Sequence, residues 1–423
     1  MSLPISVEQR LTLATLALAA FASQASVRLC DPMLPQLAHD FGRAVTEVAG
    51  VVTAFTVAYG LLQLVYGPMG DRFGKLLVVA VATVAAAIGS AACALAPDLA
   101  SLTVLRFVTG AACAGVIPLA LAWIGDSVEY QHRQRTLARF LTGSTSGLIF
   151  GQVAGGVFAD TIGWRMAFAI VAAVMATASV LLWRRWGAQR AGAARCAAAP
   201  HGAIAANAAP ASTGVPAAPA NALSVSGVAR QFAGVLSIGW ARAMLAFVAI
   251  EGALVFSATA FIPTYLHVDH GMPLWRAGLV VAGFGAGGLV YALTAAWLIP
   301  RLGERGLVTA GGACFCAGAL MIGGPVLPFE MAKCFVAGAG FFMLHNTLQT
   351  QATQMAPATR GTAISAFAFG LFVGQSAGVA AAAVLVSRVG FGPLFVGDAV
   401  LVGLLAFVVR TAIGARERAR AKP

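Results

Sequence analysis

The chain has 423 residues, 59% of them hydrophobic and only 10% charged, against roughly half and a quarter in soluble domains. So few charges cannot cover a water-exposed surface, which excludes a soluble globular protein. The net charge of +12 could suggest nucleic acid, but the positions of the basic residues follow a membrane pattern instead.

The apolar residues fall into runs of about 20, the length that crosses a ~30 Å hydrocarbon core as a helix. The punctuation between runs predicts spans at 11–34, 47–69, 76–96, 100–124, 139–160 and 165–183, then at 243–266, 276–298, 307–327, 330–354, 362–387 and 392–413. The first run is too long for a signal peptide, and Cys30-Asp31-Pro32 lacks a small-residue cleavage pattern, so a retained span is expected.

Residues 187–238 are rich in Ala, Pro, Gly and Ser with little periodicity, and read as a flexible cytoplasmic linker. The expected domains are therefore an N-terminal six-helix bundle over 1–186 and a C-terminal six-helix bundle with a basic tail over 239–423. With the N-terminus in the cytoplasm, 20 of the 27 Lys and Arg residues lie on the cytoplasmic side and 7 on the other. The positive-inside rule thus predicts that both termini are cytoplasmic. The seven cysteines show no paired spacing on the outer face, so no disulfide framework is expected.

The halves repeat. Gly147-Leu148-Ile149-Phe150-Gly151-Gln152-Val153-Ala154-Gly155 returns as Gly370-Leu371-Phe372-Val373-Gly374-Gln375-Ser376-Ala377-Gly378, six of nine identical at an offset of 223. Phe107-Val108-Thr109-Gly110-Ala111 returns as Phe335-Val336-Ala337-Gly338-Ala339, and Arg72-Phe73-Gly74 as Arg301-Leu302-Gly303, at offsets of 228 and 229. Six helices, an even number, separate counterparts, so the repeat is parallel. Glycines every four residues remove side chains from one face and let backbones approach. Gly143, Gly147, Gly151, Gly155 and Gly156, with Gln152, and Gly370, Gly374 and Gly378, with Gln375, are accordingly expected at the seam between the halves.

The turn after the second span reads Gly67-Pro68-Met69-Gly70-Asp71-Arg72-Phe73-Gly74-Lys75, and it resembles the loop signature of the major facilitator superfamily. Met69 replaces the usual Leu, and Leu76 stands where a second basic residue is common. Arg106 with Gly110 is similar to the family's fourth-helix Arg motif, and Gly163-Trp164-Arg165 with Phe168 to its start of helix six. Asp31-Pro32-Met33-Leu34-Pro35 is of a kind common in its efflux members. The family's antiporter motif on helix five is also glycine-rich, but Gln152 takes the place of its Pro.

The resemblance implies an all-α membrane protein of twelve helices in two parallel-repeat bundles, a multi-pass protein of a bacterial inner membrane. It implies a latch from Asp71 to the start of helix eleven near Gly361 and Thr362, where helix-terminal amides favour an anion. It also implies a part for Arg106 in proton transfer, and a midplane cavity formed by helices one, four, seven and ten.

Ionisable groups inside spans are costly and are functional suspects. Glu251 is the deepest carboxyl, roughly 12 Å into helix seven at about 1.5 Å per residue, and suits the carriage of a proton. Arg28 and Asp31, three apart, can pair. Arg28, Asp31, Arg106 and Glu251 are the candidates for proton coupling; Gln24, Tyr59, Gln63, Phe256, His345, Asn346 and Gln349 are the candidates for the substrate cavity.

Three motif matches lack their structural context. Gly283-Phe284-Gly285-Ala286-Gly287-Gly288 and Gly374-Gln375-Ser376-Ala377-Gly378 lie inside helices, away from any strand. His267-Val268-Asp269-His270 is no zinc signature, and no metal is expected. The sequence therefore predicts a transporter, not an enzyme: a monomeric proton antiporter exporting small molecules by alternating access, with uptake symport as the alternative. Its expected partners are substrate, protons and lipid, with no nucleic acid. No cofactor is implied, and the proton motive force supplies the drive.

Overall fold

The structure is a computed structural model that describes residues 6–198, 225–324, 329–356 and 359–421. The centre of the expected linker (199–224), the end of the ninth expected span (325–327) and Lys422 lie outside the described residues.

All the described regular structure is helical. Helix α1 (Val7–Arg28) starts at Ser6, whose side chain accepts from the Gln9 amide while the Gln9 side chain accepts from the Ser6 amide. Pro32 then sits in a short 3-10 turn, Asp31–Met33, that leads into α2 (Leu34–Phe41). After α3 (Val45–Val48) come α4 (Gly50–Phe73), α5 (Lys75–Ala94), α6 (Leu99–Cys113), α7 (Val116–Ser127), α8 (Tyr130–Thr161) and α9 (Trp164–Ala198). Asp98 caps α6 by accepting from the Ser101 amide at 2.8 Å. The second half holds α10 (Val225–Ser237), α11 (Gly239–Val268), α12 (Leu274–Ile322), α13 (Glu330–Ala352), α14 (Arg360–Val389) and α15 (Gly392–Ala421).

Among the described residues, nine segments are long and apolar enough to cross a membrane. One is α12, whose 49 residues fold back at Gly303 (φ 61°) into two arms. Helices α8 and α13 have spanning length but are more polar, and they complete twelve spans. The expected linker is helical at both described ends, where α9 runs on to Ala198 and α10 covers Val225–Ser237.

Positive φ among the described residues occurs only at six glycines, and they fall in three matched pairs: Gly42 with Gly271, Gly74 with Gly303, and Gly163 with Gly390. Each pair ends equivalent helices of the two halves, where only glycine reverses the chain without a Cβ penalty. The duplication seen in the sequence is thus a duplication of turns.

With twelve spans, α1 begins and α15 ends on one side, the terminal face; the opposite side is the far face. The glycine stripes do not form the seam expected between the halves. A Cβ on Gly147, Gly151 or Gly155 would lie 2.1, 2.4 or 2.3 Å from the carbonyl oxygens of Phe21, Ala25 and Leu29 on and just after α1. One on Gly374 or Gly378 would lie 1.9 or 2.1 Å from those of Ala249 and Ala253 on α11. Gly143 and Gly370 likewise face Ala17 and Val248 of their own bundles. The stripes therefore join α8 to α1 and α14 to α11 inside each bundle, because backbone contact along a whole stripe suits helices that stay together.

Of the expected seam glycines, only Gly156 meets the other bundle. Its Cβ position lies 2.2 Å from the Leu274 carbonyl oxygen, and Gly278 faces that of Gln152 at 2.4 Å. The remaining inter-bundle contacts run from mid-depth to the far face. Thr56 and Ser376 share a hydrogen bond of 2.8 Å, the tilted rings of Tyr59 and Phe372 lie 4.6 Å apart, and the Trp275 amide donates to Asp160 at 2.7 Å. Towards the terminal face the bundles part around a cavity of about 800 Å³ between α4, α10, α11 and α14.

Candidate functional site

Near the far end of α1, Arg28 and Asp31 are both buried, Asp31 with no exposed surface. The Arg28 guanidinium lies 3.4 Å from Asp31 Oδ2 and 4.2 Å above the centre of the Phe256 ring on α11. Gln152 of α8 donates its amide to the same Asp31 oxygen at 3.4 Å, and Oδ1 has no hydrogen-bond partner among the described residues. The sequence spacing predicted the Arg28–Asp31 pair; its contact with Phe256 of the other bundle needed the tertiary fold. One buried ion pair is thereby tied to bundle closure, since a cation on a ring face is attractive only while the ring stays in place.

Arg106 is wholly buried and near enough to Asp31 for their charges to interact, but its hydrogen bonds go to Ser26. It donates to Ser26 Oγ at 3.2 Å and to the Ser26 carbonyl at 3.1 Å, and lies 4.0 Å over Phe55 and 5.7 Å from the Phe168 ring centre. The sequence signal at the start of α9 also has a physical basis. Trp164 donates to Asp40 at 3.0 Å, and Arg165 caps α5 through the carbonyls of Ala94 and Ala96 at 3.0 and 2.8 Å. That corner holds Phe168 against Arg106.

In the C-terminal bundle, two residues assigned to different roles meet. His345 Nδ1 on α13 lies 2.8 Å from Oε2 of Glu251 on α11, and Oε1 of Glu251 has no hydrogen-bond partner among the described residues. The Glu251 side chain is fully buried, while that of His345 is 15% exposed. Phe341 stacks on the imidazole at 5.1 Å. This is a carboxyl and an imidazole sharing one hydrogen-bond axis deep in the bundle, a pair able to hold one proton between them.

The other cavity candidates scatter. Asn346 turns to α12 and donates to the Tyr291 hydroxyl at 2.9 Å, and Gln349 is exposed. Tyr59 is buried against Phe372, whereas Gln24 and Gln63 are half-buried. Tyr291 carried no separate signal, because a tyrosine in an apolar run reads as packing. Gln375, the counterpart of Gln152, is fully buried, with neither amide atom bonded among the described residues.

The turn motif shows no latch to α14. Asp71 is 68% exposed and lies 3.6 Å from Lys75, which also bonds Asp126. Thr362 instead donates to Gln231 of α10 at 3.1 Å. The missing latch follows from the open terminal face, where the cavity separates the terminal end of α4 from that of α14. Gly67 and Gly74 have open space around them, whereas Gly70 faces the Leu119 side chain, so the turn packs on α7.

Comparison with known proteins agrees with this architecture. The nucleoside transporter NupG superposes with a TM-score of 0.69 at 15% identity, over 95% of this chain and 98% of that one. A bacterial homologue of the human lysosomal transporter Spinster, in an inward-facing and unoccupied conformation, gives 0.69 at 15% identity over 96% of each chain. At these identities the likeness is one of fold.

In sequence, the chain is 28% identical over 179 residues to the multidrug export protein EmrB of Haemophilus influenzae, covering 42% of this chain and 35% of that protein. It is 30% identical over 175 residues to the efflux pump radE of Floropilus chiversii, covering 40% and 32%. An uncharacterized MFS-type transporter, YybF of Bacillus subtilis, matches at 24% over 165 residues, covering 39% and 41%. The chain thus spans well under half the length of these relatives. The model of the Major Facilitator Superfamily matches residues 16–378, most of the chain. With its twelve spans, this chain belongs to the Major Facilitator Superfamily of membrane transporters.

Proposed function

We propose that the chain exports small molecules in exchange for protons, with its terminal face in the cytoplasm and both termini there. The observation that carries this reading is the Glu251–His345 pair, 2.8 Å apart across α11 and α13. A buried carboxyl is costly as a lone anion and is stabilised by a protonated imidazole. Loading or removing one proton therefore changes the charge of the packed α11–α13 wall beside Phe341 and Phe256, whose rings are 5.3 Å apart. Phe256 also touches Arg28, so the wall that senses the proton is in contact with the far closure.

Rocking of the two bundles, in which the contacts near Thr56, Gly156 and Gly278 part as the far face opens, then exposes this wall to either side. Export is favoured by the efflux relatives, EmrB and radE. The 20-to-7 bias of basic residues supports the orientation. Uptake symport is a second reading, favoured by Gln152 in place of the antiporter proline and by its bond to Asp31.

Everted vesicles with an inside-acidic gradient test the proposal. Dye or candidate substrate is expected to accumulate in vesicles bearing the wild type and not in those bearing Glu251→Gln. Flux unaffected by Glu251→Gln sinks the role of the pair; accumulation by whole cells instead sinks export.

A further inference from the structure

The cavity of about 800 Å³ at the terminal side has a composition unlike a polar substrate site. Leu64, Val65 and Phe73 of α4 form one wall and Phe369 and Val373 of α14 the other, with Arg72 the one charged residue among the described residues lining it. Its walls belong to membrane spans, and Val65, Phe73 and Val373 are 46%, 55% and 37% exposed. Such an apolar cleft between spans suits hydrocarbon better than water.

Helix α10 closes the cleft at the terminal face. Phe232, Val235 and Leu236 line the cavity while Arg230 and Gln231 are exposed, the division of an interfacial amphipathic helix. Arg242 donates to the last α10 carbonyls, Leu236 at 2.9 Å and Ser237 at 3.2 Å, and pins the helix there. Arg72 is exposed, and its acidic neighbour Asp71 is engaged by Lys75. The site therefore pairs an apolar slot at membrane depth with a cation at the interfacial end.

We propose that this groove holds an acyl chain of an anionic membrane phospholipid, with the lipid phosphate beside Arg72. Slot and cation divide the recognition. The slot accepts any chain of suitable length, and the guanidinium selects the headgroup because it can bond phosphate oxygens with two N–H groups at once. A zwitterionic lipid offers the same chain, but its own ammonium opposes the cation.

The full chain in phosphatidylcholine vesicles is photolabelled with phosphatidylglycerol or phosphatidylcholine carrying the same reactive group in the acyl chain. Adducts are mapped by peptide mass spectrometry. Phosphatidylglycerol is expected to label residues 64–73 and 366–373 about fivefold more than phosphatidylcholine, the factor of about one basic side chain at an anionic surface. Arg72→Gln is expected to bring the two lipids to parity, and Val373→Trp or Val65→Trp to remove the groove adducts. Labelling of the exposed Leu401 and Leu404 on α15 is expected to stay unchanged and reports that each variant is folded. Equal labelling by both lipids in the wild type, groove adducts no denser than those on α15, or full labelling of both Trp variants overturns the proposal.

Discussion

Thr56 of α4 and Ser376 of α14 share a hydrogen bond of 2.8 Å between their hydroxyls, buried where the two bundles meet. The same Thr56 hydroxyl also lies 3.1 Å from the Val52 carbonyl of its own helix, so separation of the bundles leaves it a local partner. A contact that can be broken without leaving a buried group unsatisfied suits a moving interface.

Replacing this pair by Thr56→Cys with Ser376→Cys is expected to give a disulfide on mild oxidation, because hydroxyls in hydrogen-bond contact bring the two Cβ atoms near bridging range. Oxidation is expected to stop flux and reductant to restore it, with each single variant unaffected. A complete cross-link that leaves flux unchanged would show that this interface does not open during transport.

The glycine stripes separate packing from motion. Gly151→Ala and Gly374→Ala push a methyl against backbone oxygens within a bundle and are expected to destabilise by about 1–3 kcal/mol, read as a lower melting temperature in detergent. Gly156→Ala meets Leu274 across the bundles, which can part. It is expected to melt close to wild type and to weaken closure of the far face, read as greater labelling of a cysteine placed at Trp275. The reverse ranking of melting temperatures would restore the stripes to the seam.

Arg106 tests geometry against charge. Arg106→Lys keeps a buried cation but cannot both hold the two Ser26 oxygens and lie over Phe55, so a loss of about 1–3 kcal/mol is expected. Arg106→Met removes the desolvated charge and is expected to melt no lower than Arg106→Lys, yet to be transport-dead. An Arg106→Met protein with normal flux would make the residue a packing element only.

Asp71→Asn is expected to leave melting unchanged, because an exposed pair such as Asp71–Lys75 contributes well under about 1 kcal/mol. Initial flux is expected to fall severalfold if the carboxylate engages the start of α14 when the terminal face closes. Unchanged flux, measured in the same vesicles, would limit the motif to topology.

Much of this architecture was legible in sequence. Apolar run lengths marked the spans, and the paired Gly-Gln segments marked the duplication, because helices in lipid must satisfy their own backbone and so announce themselves one segment at a time. The Arg28–Asp31 pair was legible for the same reason, being three residues apart on one helix. The face that each glycine stripe presents was not. Periodicity shows that one side of α8 and of α14 is smooth, but α1 and the other bundle are equally plausible neighbours in a linear pattern.

By itself, then, the sequence determined the class of solvent, the number of spans, their parallel repeat and the identity of the costly buried charges, all of which follow from transfer free energies along the chain. Only the tertiary structure decided that Glu251 meets His345, that Arg28 rests on Phe256, that the stripes bind helices within bundles and that Asp71 stands clear of α14. The contacts among these join residues from 94 positions apart, Glu251 and His345, to 228 apart, Arg28 and Phe256; they are set by how side-chain shapes fill the space between helices, and that volume has no counterpart in a one-dimensional pattern.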